Sequence, residues 1–353
     1  MRILVAVDSF KGCLSSADAG RAVVDGVRAV WPDAGVERLV VSDGGEGMLD
    51  AFCDALGAEI REVACHDALM RPRVGRIGVR ADLAVVEVAE ACGLALIEPE
   101  QRRPLRATSY GVGELVSAAL LMGCRRLVIG LGGSAVSDCG LGMLRALKDA
   151  RCAFWERPSC EPPQITLASD VSNPLDGPRG AAAVFGPQKG ASAADVALLD
   201  RRASTFSRMA AARFGFDRSQ EPGAGAAGGL GYAFMQFMGA RVESGARLLL
   251  GLNGFHEKLK GCDGVITGEG HADAQTLMGK LPSEVLRQSG RVPVWLIAGR
   301  VAQRERLLSA GFQAVDAVTP DAMPLADALV PVVARRNIAA TVARRIARVF
   351  GRE

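Results

Sequence analysis

Residues 3–12, Ile-Leu-Val-Ala-Val-Asp-Ser-Phe-Lys-Gly, form the stretch that decides the fold. An uncharged apolar run that stops at Asp8 predicts a short strand that is buried on both faces. The next segment, Ala17–Val30, carries apolar residues at helical spacing, and Arg38–Val41 predicts a second strand. A strand, a helix and a strand in succession are typical of a parallel sheet, because a parallel connection needs a long crossover.

The same alternation of short apolar runs and helix-like segments continues along the rest of the chain. It predicts an α/β protein with a largely parallel arrangement and at least two sheets. Because short strands stand near both chain ends, we expect residues 1–61 and 290–353 to form one domain. The glycine-rich middle, residues 62–289, would be a second α/β domain inserted into the first. Further strands are predicted at Ala84–Val88, Leu127–Gly130, Ile165–Ala168, Gly264–Ile266 and Val292–Ala298. Helices are predicted at Met48–Leu56, Leu115–Met122, Ala194–Arg213 and Ala322–Phe350.

The composition excludes several classes of protein. Apolar residues make up 49% and charged residues 23% of the 353 residues, and the net charge is +3. This balance is typical of a globular chain and gives no basic surface for nucleic acid or an anionic membrane. No apolar stretch reaches the ~18 residues of a membrane span, and the first apolar run is too short for a signal peptide. Nine cysteines without metal-site spacing favour reduced thiols, so we predict a cytoplasmic protein.

Polar residues follow several predicted strands, at the end where open parallel sheets bind ligands. Asp8 and Lys11 follow the first strand, and the loop after the second strand, Ser42–Gly47, holds Asp43 and Glu46 among three glycines. Carboxylates in such a loop can hold a cation, and exposed backbone N–H groups can hold an anion. A capping Asp in a tight turn is the alternative interpretation of this loop.

Two loops of the middle region also carry residues suited to anion binding. After one predicted strand, the backbone N–H groups of Gly132, Gly133 and Ser134 can bind a phosphate or a carboxylate. After the next strand, Asp170 can ligate a metal or orient a substrate hydroxyl. Lys189 stands in a glycine-flanked loop and is one of only six lysines in the chain, so we predict that it contacts phosphate.

The segment at residues 267–280 holds several charged residues. Glu269 and Asp273 stand near Gly268 and Gly270, and Lys280 follows a further glycine. The P-loop pattern is not met, because Lys280 is followed by a leucine and the required first glycine is missing. Carboxylates and a lysine after a strand nevertheless suit the binding of a metal and a phosphate together.

The glycine-rich segment at residues 222–231, PGAGAAGGLG, contains the spacing G-x-G-x-x-G. A dinucleotide-binding fingerprint requires a strand immediately before it, whereas a polar segment stands there. Two interpretations stay open. Gly225 and Gly228 can touch a ligand at a helix start, or they can let helices pack closely.

Taken together, Asp, Lys and Gly recur after several predicted strands. No serine-hydrolase elbow, cysteine–histidine pattern or zinc signature occurs in the sequence. Phosphoryl transfer needs cations near the phosphate oxygens, carboxylates for Mg²⁺ and backbone donors. These loops match that requirement better than they match acyl or hydride transfer, and they predict a phosphotransferase.

Eight motifs resemble the bacterial glycerate kinases of the glycerate 2-kinase type, over nearly the whole chain. They are DSFKG (8–12), SDGGEG (42–47), TSYGVGEL (108–115), GLGGSAVSDCG (130–140), SDVSNPL (169–175), VFGPQKGA (184–191), PGAGAAGGLG (222–231) and TGEGHADAQTLMGK (267–280). The resemblance implies ATP-dependent phosphorylation of D-glycerate at the 2-hydroxyl, with Mg²⁺. It also implies two α/β domains, one flavodoxin-like and built from both chain ends, and one distinct middle domain. We expect the active site in the cleft between them.

The predicted site contains four sets of residues. One carboxylate would orient or deprotonate the acceptor hydroxyl, and the sequence does not decide among Asp8, Asp43, Asp170 and Asp273. The charge on the phosphates would be stabilised by Lys11, Lys189 and Lys280. Mg²⁺ would be held by Asp43, Glu46 and Glu269. ATP would contact Gly132, Gly133, Ser134, Gly225, Gly228, Gly268 and Gly270.

The chain departs from the family pattern at a few positions. Val136-Ser137 stand where the family usually has Thr-Asn, Cys139 stands where it has Gly, and His271 where it has Arg. The segment 148–165 is also shorter. Two alternatives stay open. The same loops would permit a kinase for another small hydroxy acid. The missing hydroxyl at Val136 and the shorter segment leave open a catalytically inactive binding or sensory relative. D-glycerate and ATP are the only expected partners, and the sequence leaves the oligomeric state open.

Overall fold

The computed structural model describes residues 1–10, 12–42, 47–152 and 161–350. The chain divides into two compact units, which we call the terminal unit (Met1–Asp43 with Ala246–Glu353) and the middle unit (Gly44–Gly245). The predicted domain boundaries, after residues 61 and 289, lie further along the chain than these. The prediction of an α/β protein with two α/β domains is confirmed.

Both units are built from short strands and helices. The strands of the described residues are β1 (Arg2–Val7), β2 (Gly35–Val40), β3 (Glu59–His66), β4 (Pro72–Arg80), β5 (Leu83–Glu87), β6 (Arg126–Gly130), β7 (Gln164–Ala168), β8 (Arg241–Glu243), β9 (Gly264–Ala272), β10 (Val294–Val301) and β11 (Ala314–Ala317). The α-helices are α1 (Ser16–Val30), α2 (Met48–Leu56), α3 (Ala89–Cys92), α4 (Tyr110–Leu121), α5 (Leu141–Asp149), α6 (Ala181–Phe185), α7 (Ala193–Phe214), α8 (Leu230–Met238), α9 (Gly245–Leu252), α10 (Phe255–Leu259), α11 (Leu281–Ser289), α12 (Arg304–Ser309), α13 (Leu325–Ala328) and α14 (Pro331–Phe350). Among the described helices, none is both long and apolar enough to cross a membrane.

The terminal unit contains a five-stranded, wholly parallel sheet in the order β2-β1-β9-β10-β11. Counted along this unit alone, that order is 2-1-3-4-5, the flavodoxin-like arrangement. Helix α1 begins at the Ser15 cap, whose hydroxyl accepts a hydrogen bond from the backbone N of Asp18 at 3.1 Å. Helices α1 and α14 pack so closely that a Cβ at Gly26 would lie 2.5 Å from the carbonyl oxygen of Ala339. The apolar run of β1, Ile3 to Val7, is fully buried, as its sequence predicts.

Strand β9 corrects the predicted assignment of one segment. The sequence interpretation placed residues 264–280 in the middle domain. The structure pairs β9 with β1 and β10, with Val5 opposite Ile266 and Val294 opposite Val265. Glu269 therefore lies in the sheet whose strand β1 ends before Asp8, and Asp273 and Lys280 follow β9 in the terminal unit, not in the middle unit.

The C-terminal helix also differs from its prediction. The single helix expected from Ala322 to Phe350 is two helices, α13 and α14. Pro331 is the first residue of α14, where its missing N–H costs nothing, but it cannot continue a preceding helix.

The middle unit contains a six-stranded sheet in the order β3-β4-β5-β6-β7-β8. Strands β3 to β5 pair antiparallel, and β5 to β8 pair parallel. The carboxyl ends of β5, β6 and β7 lie side by side, because Glu87 stands opposite Gly130 and Gly130 opposite Ala168. Residues that follow these strands therefore gather at one edge of the sheet.

Candidate active site

A cavity of about 460 Å³ lies in the terminal unit, at the carboxyl-terminal ends of β1, β9 and β10. Strands β1 and β9 flank the point where the strand order reverses, and open α/β sheets bind ligands at that point. The cavity is lined by both charged and apolar residues. The charged residues and the one histidine of the lining are Asp8, Glu269, His271, Lys280 and Arg300. The apolar residues include Phe10, Val318, Leu325 and Leu329.

Asp8 lies at the end of β1 and is 5% exposed. Its carboxylate accepts a hydrogen bond from the backbone N of Ser9 at 2.7 Å, and its own backbone N donates to the Gly268 carbonyl at 2.9 Å. A Cβ at Gly268 would lie 2.5 Å from the carbonyl oxygen of Ile297, so close strand packing requires glycine there. Gly268 thus fixes the strand end that carries Asp8, while its predicted contact with ATP stays a prediction.

Glu269 and Lys280 form a pair at the cavity. The Lys280 Nζ lies 3.3 Å from Glu269 Oε2, and the Thr276 hydroxyl donates to Glu269 Oε1 at 2.6 Å. Glu269 is 7% exposed, and Lys280 is half-buried. A buried carboxylate with donors on both oxygens keeps its position, and it holds the ammonium group facing the cavity.

Asp273 has a capping role in the structure. Its carboxylate accepts from the backbone N of Gln275 at 2.7 Å, and its backbone N donates to the Thr276 hydroxyl at 3.0 Å. This capping box begins a 3₁₀ helix at Ala274–Leu277. A structural role as the cap is therefore enough to explain an Asp at this position, and no catalytic role is required. Asp273 is not among the residues that line the cavity, so its catalytic role stays a prediction.

In the middle unit, Lys189 lies under the loop that follows β6. It is 3% exposed, and its Nζ donates to the Val136 carbonyl at 2.5 Å and to the Ser134 hydroxyl at 3.3 Å. Burial lowers the pKa of Lys189 to about 8. A backbone hydrogen bond also stabilises this loop, since the Leu94 N donates to the Gly133 carbonyl at 2.7 Å. Lys189 therefore stabilises the conformation of the predicted phosphate loop through its two hydrogen bonds. Its direct contact with phosphate stays a prediction.

Sequence reasoning missed Glu87, which ends β5 beside that loop. Its carboxylate accepts from the backbone N of Leu49 at 2.9 Å and of Gly47 at 3.2 Å, so it caps α2 from another element. Glu87 is 4% exposed, and burial raises its pKa to about 7. The two hydrogen bonds act in the opposite direction and lower the pKa, but the effect of burial is larger. The one signal in the sequence was a carboxylate within an otherwise apolar run.

The raised pKa of Glu87 predicts a pH-dependent stability. Between about pH 4.5 and 7 the folded state keeps a proton that the unfolded state has lost, so the stability falls as the pH rises. Glu87→Gln removes this titration. We expect the free energy of unfolding of the wild type, relative to Glu87→Gln, to fall by about 1.4 kcal/mol per pH unit in that window. Urea denaturation at pH 5, 6 and 7 measures it.

The control for this experiment is Glu100→Gln, which changes an exposed carboxylate of the same unit. Its unfolding free energy should follow the wild type at every pH. Parallel curves for the wild type and Glu87→Gln would contradict the assignment of the buried proton to Glu87.

The glycine-rich segment packs against two loops of the middle unit. A Cβ at Gly225 would lie 2.2 Å from the Pro174 carbonyl oxygen, and one at Gly228 would lie 2.0 Å from the Val136 carbonyl oxygen. Both glycines are buried. Of the two open interpretations, the geometry favours close packing, and the contact of these two glycines with ATP stays a prediction.

Several predicted site residues have other placements. Lys11, Asp43 and Glu46 lie outside the described residues. Asp170 is half-buried after β7, Gly132 is half-buried and Gly133 exposed after β6, and Gly270 lines the cavity of the terminal unit. Within the part of the chain that the structure describes, no group of three or more His, Cys, Asp or Glu side chains could by itself hold a metal ion.

Comparisons with known proteins give a consistent assignment. The sequence profile described as "Glycerate kinase family" matches residues 3–152 and 155–351. The chain belongs to the glycerate kinase family. A glycerate kinase of Bacillus subtilis (strain 168) is 38% identical over 354 residues, which cover 93% of both chains. A glycerate 2-kinase of Escherichia coli (strain K12) is 35% identical over 374 residues, covering 97% of this chain and 98% of that one.

A solved structure is also similar over the whole chain. It is a crystal structure of a protein described as a candidate glycerate kinase 2 from Salmonella typhimurium LT2. The TM-score is 0.80 at 34% identity, and the match covers 99% of this chain and 98% of that chain. The predicted family is therefore confirmed, and the chain is a kinase.

The structure explains two of the departures from the family pattern. The Val136 side chain is fully buried, so valine packs in the core at this position. Its backbone carbonyl accepts the hydrogen bond from Lys189, which does not depend on the side chain. Cys139 has a φ of 55°, in the left-handed region that glycine adopts at little cost. The glycine usual in the glycerate kinase family suits this backbone, and the cysteine is accommodated there with some strain.

Proposed function

We propose that this glycerate kinase transfers the γ-phosphoryl group of ATP to the 2-hydroxyl of D-glycerate. The observation that carries the proposal is the cavity at the carboxyl ends of β1, β9 and β10. It holds two buried carboxylates, Asp8 and Glu269, together with the cations Lys280 and Arg300. The cations complement the carboxylate of glycerate and the phosphates of ATP, and the two carboxylates suit a hydroxyl and a metal ion. The location in the cytoplasm stays a prediction.

Each charged residue of the cavity has a distinct proposed role. Asp8 orients the acceptor hydroxyl and takes its proton as the new O–P bond forms, because a carboxylate is a suitable general base at this position. The bond between the γ-phosphorus and the bridging oxygen breaks, and ADP leaves. Lys280, held by Glu269, stabilises the charge on the transferring phosphoryl group. Arg300 binds a carboxylate or phosphate with its planar guanidinium group.

The residues of this cavity fit a magnesium ion that is shared with the nucleotide. Mg²⁺ usually takes one or two protein carboxylates and completes its shell with phosphate oxygens and water. Glu269 provides one carboxylate at this cavity, while Asp8 is the proposed base, and the described residues do not form a complete metal site of their own. When bound there, the ion would neutralise charge on the phosphates. Asp43 and Glu46 remain further proposed ligands.

Phosphorus NMR of the reaction products tests this function. With ATP, Mg²⁺ and D-glycerate, we expect ADP and a phosphate monoester whose ³¹P signal is coupled to one carbon-bound proton. Transfer to the 3-hydroxyl would give coupling to two such protons. An ester formed with glycolate or lactate, but not with D-glycerate, would favour a kinase for another hydroxy acid. No ester with any acceptor would favour the inactive relative.

Arg300 provides a prediction about substrate binding. None of the described carboxylates pairs with Arg300, and this exposed residue lines the cavity, so we propose that it binds an anionic substrate. Arg300→Met should raise KM for glycerate about tenfold with a smaller change in kcat. Arg306→Met, at an exposed arginine of α12, is the control and should leave both constants unchanged. A variant of Arg300 with wild-type KM would remove this residue from the substrate site.

A further inference from the structure

A second cavity in the terminal unit is rich in arginine. It has a volume of about 260 Å³, and we call it the arginine pocket, after Arg304, Arg344, Arg345 and Arg348 in its lining. Asp316 and Asp321 are the acidic residues of the lining. Four guanidinium groups against two carboxylates leave the lining with two positive charges in excess. A cavity of this charge is complementary to a dianion.

Two of the guanidinium groups are oriented by neutral acceptors, and a third is paired with a carboxylate. Arg345 forms a two-point pair with Asp316, with Nε 2.7 Å from Oδ2 and a terminal nitrogen 2.6 Å from Oδ1. Arg304 donates to the Val315 carbonyl at 2.5 Å, and Arg344 donates to the hydroxyl of buried Thr341 at 3.0 Å. Both of these acceptors are neutral, so the two side chains are oriented while they keep their charge.

The arginine pocket also lies where open parallel sheets commonly bind ligands. Asp316 and Ala317 are the last residues of β11, and the loop that follows lines the pocket, so the pocket lies beyond the carboxyl end of a parallel strand. Thr319 of this loop lines both cavities, and its backbone N donates to the Gly299 carbonyl at 3.2 Å. An anion in the pocket would therefore contact the loop that also lines the proposed transfer cavity.

We propose that the arginine pocket is a binding site for a phosphate dianion, either free phosphate or the phosphate group of a small organic ester, separate from the site of phosphoryl transfer. Guanidinium groups suit this ligand, because two parallel N–H groups match two phosphate oxygens. The pocket is open to ligand but small, which favours a compact phosphate compound over a nucleotide. No role in transfer is needed for the site, so the proposal does not rest on the proposed function.

Titration calorimetry with inorganic phosphate, on the full chain and without nucleotide, tests the site. All variants carry Lys280→Ala, so that phosphate bound at the transfer cavity contributes little. On this background, Arg344→Gln with Arg348→Gln should weaken phosphate binding at least about tenfold. The matched control is Arg336→Gln, at an exposed arginine of the same helix that does not line the pocket. It should bind phosphate as the background protein does.

Two results would overturn the proposal: no phosphate binding at millimolar concentration on the Lys280→Ala background, or equal affinities for the double variant and the Arg336→Gln control. Arg304→Gln, on another helix, replaces the double variant if that protein does not fold. A parallel titration with 2-phosphoglycerate distinguishes the sources, since tighter binding of the ester identifies an organic phosphate and equal affinity identifies free phosphate. Because no turnover is measured, the result stands whether or not the protein phosphorylates glycerate.

Discussion

Lys280→Ala should lower kcat by about 100-fold or more, with little change in the thermal midpoint. The ammonium group lies 3.3 Å from Glu269 and faces the cavity that also contains Asp8. A preorganised cation at a transferring phosphoryl group acts on charge that develops in the transition state, so its loss falls on kcat. Glu269 keeps the hydroxyl of Thr276 as a donor in the variant, and this contact helps to preserve the fold. Steady-state kinetics with ATP and D-glycerate, beside a thermal melt, measure both effects.

The control is Lys148→Ala, which removes another of the six lysines from an exposed position in α5. It should leave kcat and the thermal midpoint near the wild-type values. A Lys280→Ala enzyme with wild-type kcat would exclude this residue from the transfer step. A thermal midpoint that falls together with the activity would instead show that the pair with Glu269 mainly stabilises the fold.

The sequence predicted strands well where an apolar run stops at a charge or a glycine. Strand β1 is the clearest case, since its five buried residues end at Asp8. It predicted the partners of β9 poorly, because strands that pair in a parallel sheet can be far apart in the chain. Here Ile3 stands opposite Gly264, and nothing in either segment specifies the other. Chain position alone therefore assigned residues 264–280 to the wrong domain.

The candidate site was predictable to the extent that its residues follow strands. Asp8, Glu269 and Lys280 were expected and line one cavity. Arg300 was missed because arginine is the common cation of this chain and a single one carries no pattern. Lys189 was expected to contact phosphate because lysine is scarce, whereas the structure gives its ammonium group two acceptors from the chain itself. Scarcity indicated that the residue matters, but it could not indicate whether a ligand or a loop is its partner.

The glycines of residues 222–231 were also open to two interpretations, contact with a ligand or close packing. The substitution Gly228→Ala decides between these two. Gly228 has a φ of 66°, and an added Cβ would lie 2.0 Å from the Val136 carbonyl oxygen, which is backbone and cannot rotate away. We expect the free energy of unfolding to fall by about 3 kcal/mol or more, since backbone strain and a steric clash add together. Urea denaturation measures this loss.

Gly215→Ala is the matched control for that experiment. Gly215 has a φ of 79°, also in the left-handed region, but an added Cβ would meet nothing within 4 Å. Gly215→Ala should lower the free energy of unfolding only through the strain of a left-handed alanine, by about 1 kcal/mol. The difference between the two variants therefore measures the clash alone. If Gly228 were glycine because a nucleotide approaches its backbone, Gly228→Ala would resemble the control in stability and lose affinity for ATP. Because the atom in the way belongs to Val136 of the loop that Lys189 also holds, we expect the loss to appear in stability instead.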